Sequence, residues 1–249
     1  MRKHMLTSEN ETMNGIRVRG TEVSRVEGLT DAVFGLAVTL LIVSEEVPKT
    51  INELFALVMG FPAFAATFFL MLVIWNWHYK YFRKFGLNNK KVIKANGILL
   101  FLVLLFMFPL KFFASFVIDY IILEGWFGFE MPVNYSISYD QYNILHVLYA
   151  CGFASVFWCF SWLYKIAFDE RELLQLDDKE ALQTQVHIKS FLIVGIVPLF
   201  TIPMLFLPTA YAPFIAGFAN ILVWPIQWLY VRQTAIKLRA MSESTKGNA

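Results

Sequence analysis

Ser24-Arg25-Val26-Glu27-Gly28-Leu29-Thr30-Asp31-Ala32-Val33-Phe34-Gly35-Leu36-Ala37-Val38-Thr39-Leu40-Leu41-Ile42-Val43 begins with charged residues and ends in an unbroken apolar run. From Val26 to Val47 this segment can cross a hydrocarbon layer of about 30 Å as one helix. Two stripes run along it at helical spacing. Gly28, Ala32, Gly35 and Thr39 are small. Leu29, Leu36, Leu40, Val43 and Val47 are apolar and lie about 100° round from the small ones. Small residues let neighbouring backbones approach closely in a membrane, so that stripe is expected to pack against other helices. The apolar stripe is then free to face something shared, such as a symmetry axis. On periodicity alone, ordinary contact with lipid or core is the plainer account of it. Asp31 adds information. A charge at the centre of a membrane helix costs about 2.5–3.5 kcal/mol on the insertion scale, and less near an end. It therefore implies a partner inside the bundle, and it points about 140° away from Leu36.

The rest of the chain extends this pattern. Of 249 residues, 57% are hydrophobic, 17% aromatic and 16% charged. A soluble domain carries about a quarter charged residues. The 25 Phe and 7 Trp suit lipid-facing helices with interfacial anchors better than one soluble core. Five further segments are long and apolar enough to span. They run from Phe61 to Phe82, Ala95 to Ile118, Tyr142 to Phe168, Ser190 to Leu207 and Ala212 to Val231. An amphipathic lead-in, Ile51 to Met59, precedes the second span. The fold class is thus an all-α membrane protein with six transmembrane helices. Residues 25–233 form the membrane domain. Residues 1–24 and 234–249 are tails, the first read as soluble and mobile because it lacks a signal-peptide core.

Lys and Arg fix the orientation. Arg2, Lys3, Arg17, Arg19 and Arg25 precede the first span, and Arg83, Lys84, Lys90, Lys91 and Lys94 follow the second. Arg171, Lys179 and Lys189 follow the fourth, and Arg232, Lys237, Arg239 and Lys246 follow the sixth. With six spans these share one side, so both termini are expected in the cytoplasm and the chain in the plasma membrane. The other side carries Lys49, Lys111 and the acids Glu45, Glu46, Glu53, Asp119, Glu124 and Glu130. Trp75, Trp77, Tyr79, Tyr81 and Phe82 read as an interfacial belt. Asp169 to Glu180 reads as a solvated connection. Cys151 and Cys159 are about 12 Å apart along one helix, too far to bridge, and read as packing residues.

The chain holds no phosphate-binding loop, zinc motif or nucleophile elbow. It has no carbonyl-filter segment and no arginine-rich voltage sensor. The helix middles are almost purely apolar, which argues against a membrane enzyme. A secondary transporter with a midplane site remains as the alternative, because prolines interrupt the fifth and sixth spans.

Arg25-x-x-x-Leu29-Thr30-Asp31, with the small and apolar run after it, resembles the R-x-x-x-F-S-D signature of the endosomal and lysosomal potassium channel family, transmembrane protein 175, and its bacterial homologues. Leu29 and Thr30 replace Phe and Ser. Trp75-Asn76-Trp77-His78 is similar to the family's W-x-x-H, with Tyr79 where a second His usually stands. Asn96 and Pro109 also match. The first 115 or so residues carry the resemblance. It implies a homotetramer with the first helix lining a central pore. Leu36, Leu40 and Val43 would form apolar rings in place of a carbonyl filter, and Thr39 would be the nearest polar group to the ion. Arg25, Thr30, Asp31, Trp75, His78 and Asn96 would form a structural polar network. The implied function is a potassium-permeable cation channel with a hydrophobic gate. Its partners would be further copies of itself, the lipid bilayer, potassium and other monovalent cations. Neither a cofactor, a metal site nor a nucleic acid is implied; potassium would be the permeant ion.

Overall fold

The computed structural model describes residues 12–13, 16–43, 47–118, 125–128, 138–209, 212–223, 225–230 and 232. Two short antiparallel strands, β1 (Thr12–Met13) and β2 (Ile16–Arg17), precede the helices. They are followed by α1 (Arg25–Val43), α2 (Ile51–Met59), α3 (Phe61–Phe85) and α4 (Lys90–Ser115). Then come α5 (Tyr139–Asp169), α6 (Asp178–Thr201) and α7 (Ala212–Ala219). Short 3-10 turns follow α6 at Ile202–Phe206 and α7 at Asn220–Leu222, and residues 225–230 are again helical.

Local chemistry sets these boundaries. Ser24 and Glu27 bond each other's backbone N–H groups at the start of α1, the reciprocal pattern of a capping box. Ser138 with Gln141 does the same for α5, and Asp177 with Glu180 for α6. Pro62 sits in the first turn of α3, where its missing N–H costs nothing. Gly86 ends α3 with φ near +59°, a conformation other residues resist.

Among the described residues, four helices are long and apolar enough to cross a membrane. They are Phe61–Phe85, Lys90–Ile118, Asp140–Asp169 and Asp178–Phe206. α1, with 19 residues, is about 28 Å long and carries Arg25, Glu27 and Asp31 in its first two turns. α1 packs on α3 and α4, while α5 and α6 form a close pair beside them.

The core runs along these contacts. Phe34, Ala37 and Leu41 bury one side of α1, together with Met71, Ile74, Leu99 and Val103. Trp77 lies edge-on to Phe157, Phe160 and Phe191, which joins α3 to α5 and α6. This corrects the expected belt: Tyr81 and Phe82 are fully buried and Trp77 belongs to the core. An aromatic run at a helix end has the same composition whether lipid or a third helix covers it. Cys159 is buried, Cys151 is exposed, and both are free.

Residues 16–24 are not a mobile tail. Ile16 and Gly20 are buried, and the segment is held by backbone hydrogen bonds to α3. The connection to α6 is not uniformly solvated either, because Glu180 is 1% exposed. Each of these segments supplies the charge the other needs, so either one read alone looks soluble.

Candidate functional site

α1 has two sides of different character. Thr30, Phe34, Ala37 and Leu41 face the protomer's own core. The opposite side carries Arg25, Gly28, Leu29, Ala32, Gly35, Leu36 and Thr39, all exposed. Leu36 is 53% exposed, and a Cβ placed at Gly28 or Gly35 would meet nothing within 4 Å. Among the described residues, Gly28 and Gly35 therefore meet no other helix of the chain. Leu40 sits at the boundary, half-buried against the core. Val43 closes the helix, and its side chain lies outside the described residues, as do Glu45 and Glu46. The Thr39 hydroxyl donates to the Gly35 carbonyl at 2.9 Å, which leaves its oxygen lone pairs facing outward.

Both ends of α1 are held. Near its C-terminus the Lys111 ammonium, from α4, donates to the Leu41 carbonyl at 3.0 Å. A cation there suits the unpaired carbonyls of a helix end. In the N-terminal half, Thr30, His78 and Asn96 meet among α1, α3 and α4. His78 is 1% and Asn96 2% exposed. The Thr30 hydroxyl donates to the Val26 carbonyl at 2.8 Å, so its oxygen is left to accept. The Asn96 amide N–H fills that role at 2.9 Å. That turns the Asn96 carbonyl toward His78 Nε2 at 2.8 Å, so His78 donates from Nε2. The whole chain is fixed in one direction from a single hydroxyl.

Asp31 belongs to a second arm. Trp75 donates from its indole Nε1 to Asp31 at 2.7 Å. Tyr79 stacks on Trp75, and the Arg83 guanidinium lies over Tyr79 at 5.4 Å from the ring centre. Tyr79, the departure from the familiar His, thus fills a stacking position. Arg25 is the first residue of α1, exposed on the Leu36 side, and among the described residues it bonds none of this network.

Sequence reasoning did not single out the segment before α1. Arg19 and Gly20 donate backbone N–H groups to the Arg83 carbonyl at 3.1 and 3.0 Å. Arg83 returns a bond to the Gly20 carbonyl at 2.8 Å. Arg19 donates from its side chain to Glu180 at 2.6 Å and to the Leu174 carbonyl at 2.9 Å. Arg17 donates its backbone N–H to Glu180 at 2.7 Å and its side chain to the Gln175 carbonyl at 2.6 Å. The Arg19 side chain, the Arg17 backbone and the Asp177 N–H thus all donate to the Glu180 carboxylate. The spacing Asp177-x-x-Glu180 was the available signal, since it marks a capping box.

Residues 25–109, which include every member of the polar network, match the family model described as endosomal/lysosomal potassium channel TMEM175. A curated protein from Marivirga tractuosa, named a potassium channel, is 35% identical over 230 residues, 90% of this chain and 92% of that one. The chain belongs to the TMEM175 family. TMEM175 similarity therefore extends well past the first 115 residues. The fold agrees. The crystal structure of a threonine-to-alanine variant of the potassium channel MtTMEM175, bound to a nanobody fusion, superposes with a TM-score of 0.81 at 33% identity. That match covers 90% of this chain and 98% of the other. A potassium channel from Chamaesiphon minutus is 30% identical over 106 residues, 39% of this chain and 52% of that one. The chain is accordingly a multi-pass membrane protein of a TMEM175 potassium channel family, and that family is not one of enzymes.

Proposed function

We propose that the chain is a potassium-permeable channel of the plasma membrane, assembled as a homotetramer of six-span protomers with four α1 helices around the pore. The observation that carries this reading is the open side of α1. Arg25, Gly28, Gly35, Leu36 and Thr39 are exposed on a helix otherwise packed into the bundle. Charge, small residues and a hydroxyl make a poor surface for lipid but suit contact with copies of the same helix and with water on an axis. The relatives named as potassium channels supply the ion.

In this reading Leu36, Leu40 and Val43 form apolar rings, and Leu36, the most exposed of the described pair, sets the constriction. A narrow apolar neck holds water and ions poorly, so it closes by dewetting and opens when it widens. Thr39 presents lone pairs to a cation beside that neck. Potassium and other monovalent cations are the permeant species, and no bound cofactor takes part. The orientation follows from the Lys and Arg distribution. It is supported by the meeting of residues 17–20, 83–86 and 174–180 at one end of the bundle, with Lys111 near the other end of α1. Thr30, His78, Asn96, Asp31 and Trp75 act as the frame that sets the rotation of α1.

The test is cation flux into liposomes holding the purified protein. Potassium should pass faster than sodium, and Leu36→Ala should raise conductance and lower the potassium preference more than Leu40→Ala. If Leu36→Ala changes neither, Leu36 is not the constriction. Saturable, gradient-coupled uptake of a solute would point to a transporter instead.

A further inference from the structure

We propose that residues Arg17–Gly20 are a positioning strap for the pore helix, with Arg19 and Glu180 as its latch. This rests on the reading of α1 as the pore-lining helix. The strap is tightly fitted. A Cβ at Gly20 would lie 2.3 Å from the Phe82 carbonyl oxygen, so a side chain there would force the strap off α3. A Cβ at Gly86 would lie 3.0 Å from the Arg19 carbonyl oxygen. The two glycines let the strap and the α3 terminus touch backbone to backbone.

The latch is as closely specified. Glu180 accepts from the Arg17 N–H, the Arg19 guanidinium and the Asp177 N–H. A carboxylate buried to 1% exposure is tolerable because these donors replace its water. Arg17 and Arg19 also bond the Gln175 carbonyl, and Gln175 has φ near +51°, a conformation that non-glycine residues adopt at a cost. The strap therefore supports the turn between α5 and α6 while it holds α3.

Two routes join the strap to α1. One is covalent: Thr21, Glu22 and Val23 lead from Gly20 to the Ser24–Glu27 capping box. The other runs through side chains. Arg83 bonds Gly20 and lies over Tyr79, Tyr79 stacks on Trp75, and Trp75 bonds Asp31 of α1. The strap therefore transmits the position of the α5–α6 turn to the start of the pore helix. It sets how often the pore is open without touching the ion.

The test is single-channel recording from the full-length protein in planar bilayers with potassium as the charge carrier. Arg19→Ala removes the latch. A triple-glycine insertion between Glu22 and Val23 leaves latch, strap and helix cap intact and loosens the covalent route. Both should shift open probability by about fivefold or more, the lower range of measured couplings between sites. Unitary conductance and reversal potential should stay native, and Arg19→Lys, which keeps one charge on Glu180 but loses the guanidinium fork and its carbonyl bonds, should fall between native and Arg19→Ala in open probability. Tyr79→Ala added to the insertion also breaks the side-chain route. The proposal is overturned if the insertion alone and the combined variant both gate as the native protein does, for the strap would then only stabilise the local fold. These two variants decide this even if Arg19→Ala does not assemble, because they disturb neither the latch nor the cap. Native conductance in Leu36→Ala would instead show that Leu36 is not the constriction, and it leaves the gating result standing.

Discussion

The most constrained residue of the site is Asn96. It accepts from His78 and donates to Thr30 within a region that excludes water. Removing it leaves the His78 N–H and the Thr30 oxygen without partners, and each such buried group costs about 1–3 kcal/mol. Asn96→Leu should therefore lower the unfolding temperature of the detergent-solubilised protein more than His78→Asn, which retains a donor. Equal, negligible shifts would mean the network carries no stability. Some of this was legible from residue types. Thr30, Asp31, Trp75, His78 and Asn96 stood out through the family pattern, because polar side chains in apolar runs need partners. Their division into two arms was not legible, since hydrogen-bond direction depends on which helices meet. Glu180 was read as solvated for a related reason. Its partners Arg17 and Arg19 lie more than 160 residues away in sequence and come together only in the fold.

At the scale of elements, α1 is a helix with a strap at its start and a lysine near its end. The latch is tested by Glu180→Gln. The glutamine keeps the shape but removes the negative charge that the Arg17 and Arg19 donors surround, so it should lower the unfolding temperature of the detergent-solubilised protein. An unchanged unfolding temperature would contradict this role for Glu180. Gly20→Ala tests the close approach directly. With no room beside the Phe82 carbonyl, it should release residues 16–20 and raise amide exchange there and at Gly86, while leaving α4 protected. Unchanged exchange would mean that the strap can shift at no cost. Periodicity made the helices of this region legible, whereas the strap has none. Its information lies in two glycines and two arginines that a charge count assigns to a tail.

For the whole molecule, the positions of the spans were legible because the bilayer imposes a length, and α3 to α6 fall where the apolar runs lie. What the chain cannot disclose on its own is the surface that other copies would cover. The open side of α1, with Gly28, Gly35, Leu36 and Thr39, is exposed among the described residues. The proposed assembly around that side would account for its composition, for the frame of Thr30, His78 and Asn96 behind it, and for the strap at its start. Electron cryomicroscopy of the full-length protein in lipid nanodiscs tests this most directly. A fourfold particle is expected, with α1 innermost and the Leu36 side chains pointing at the axis. A monomer, or an assembly with α1 against lipid, would contradict it.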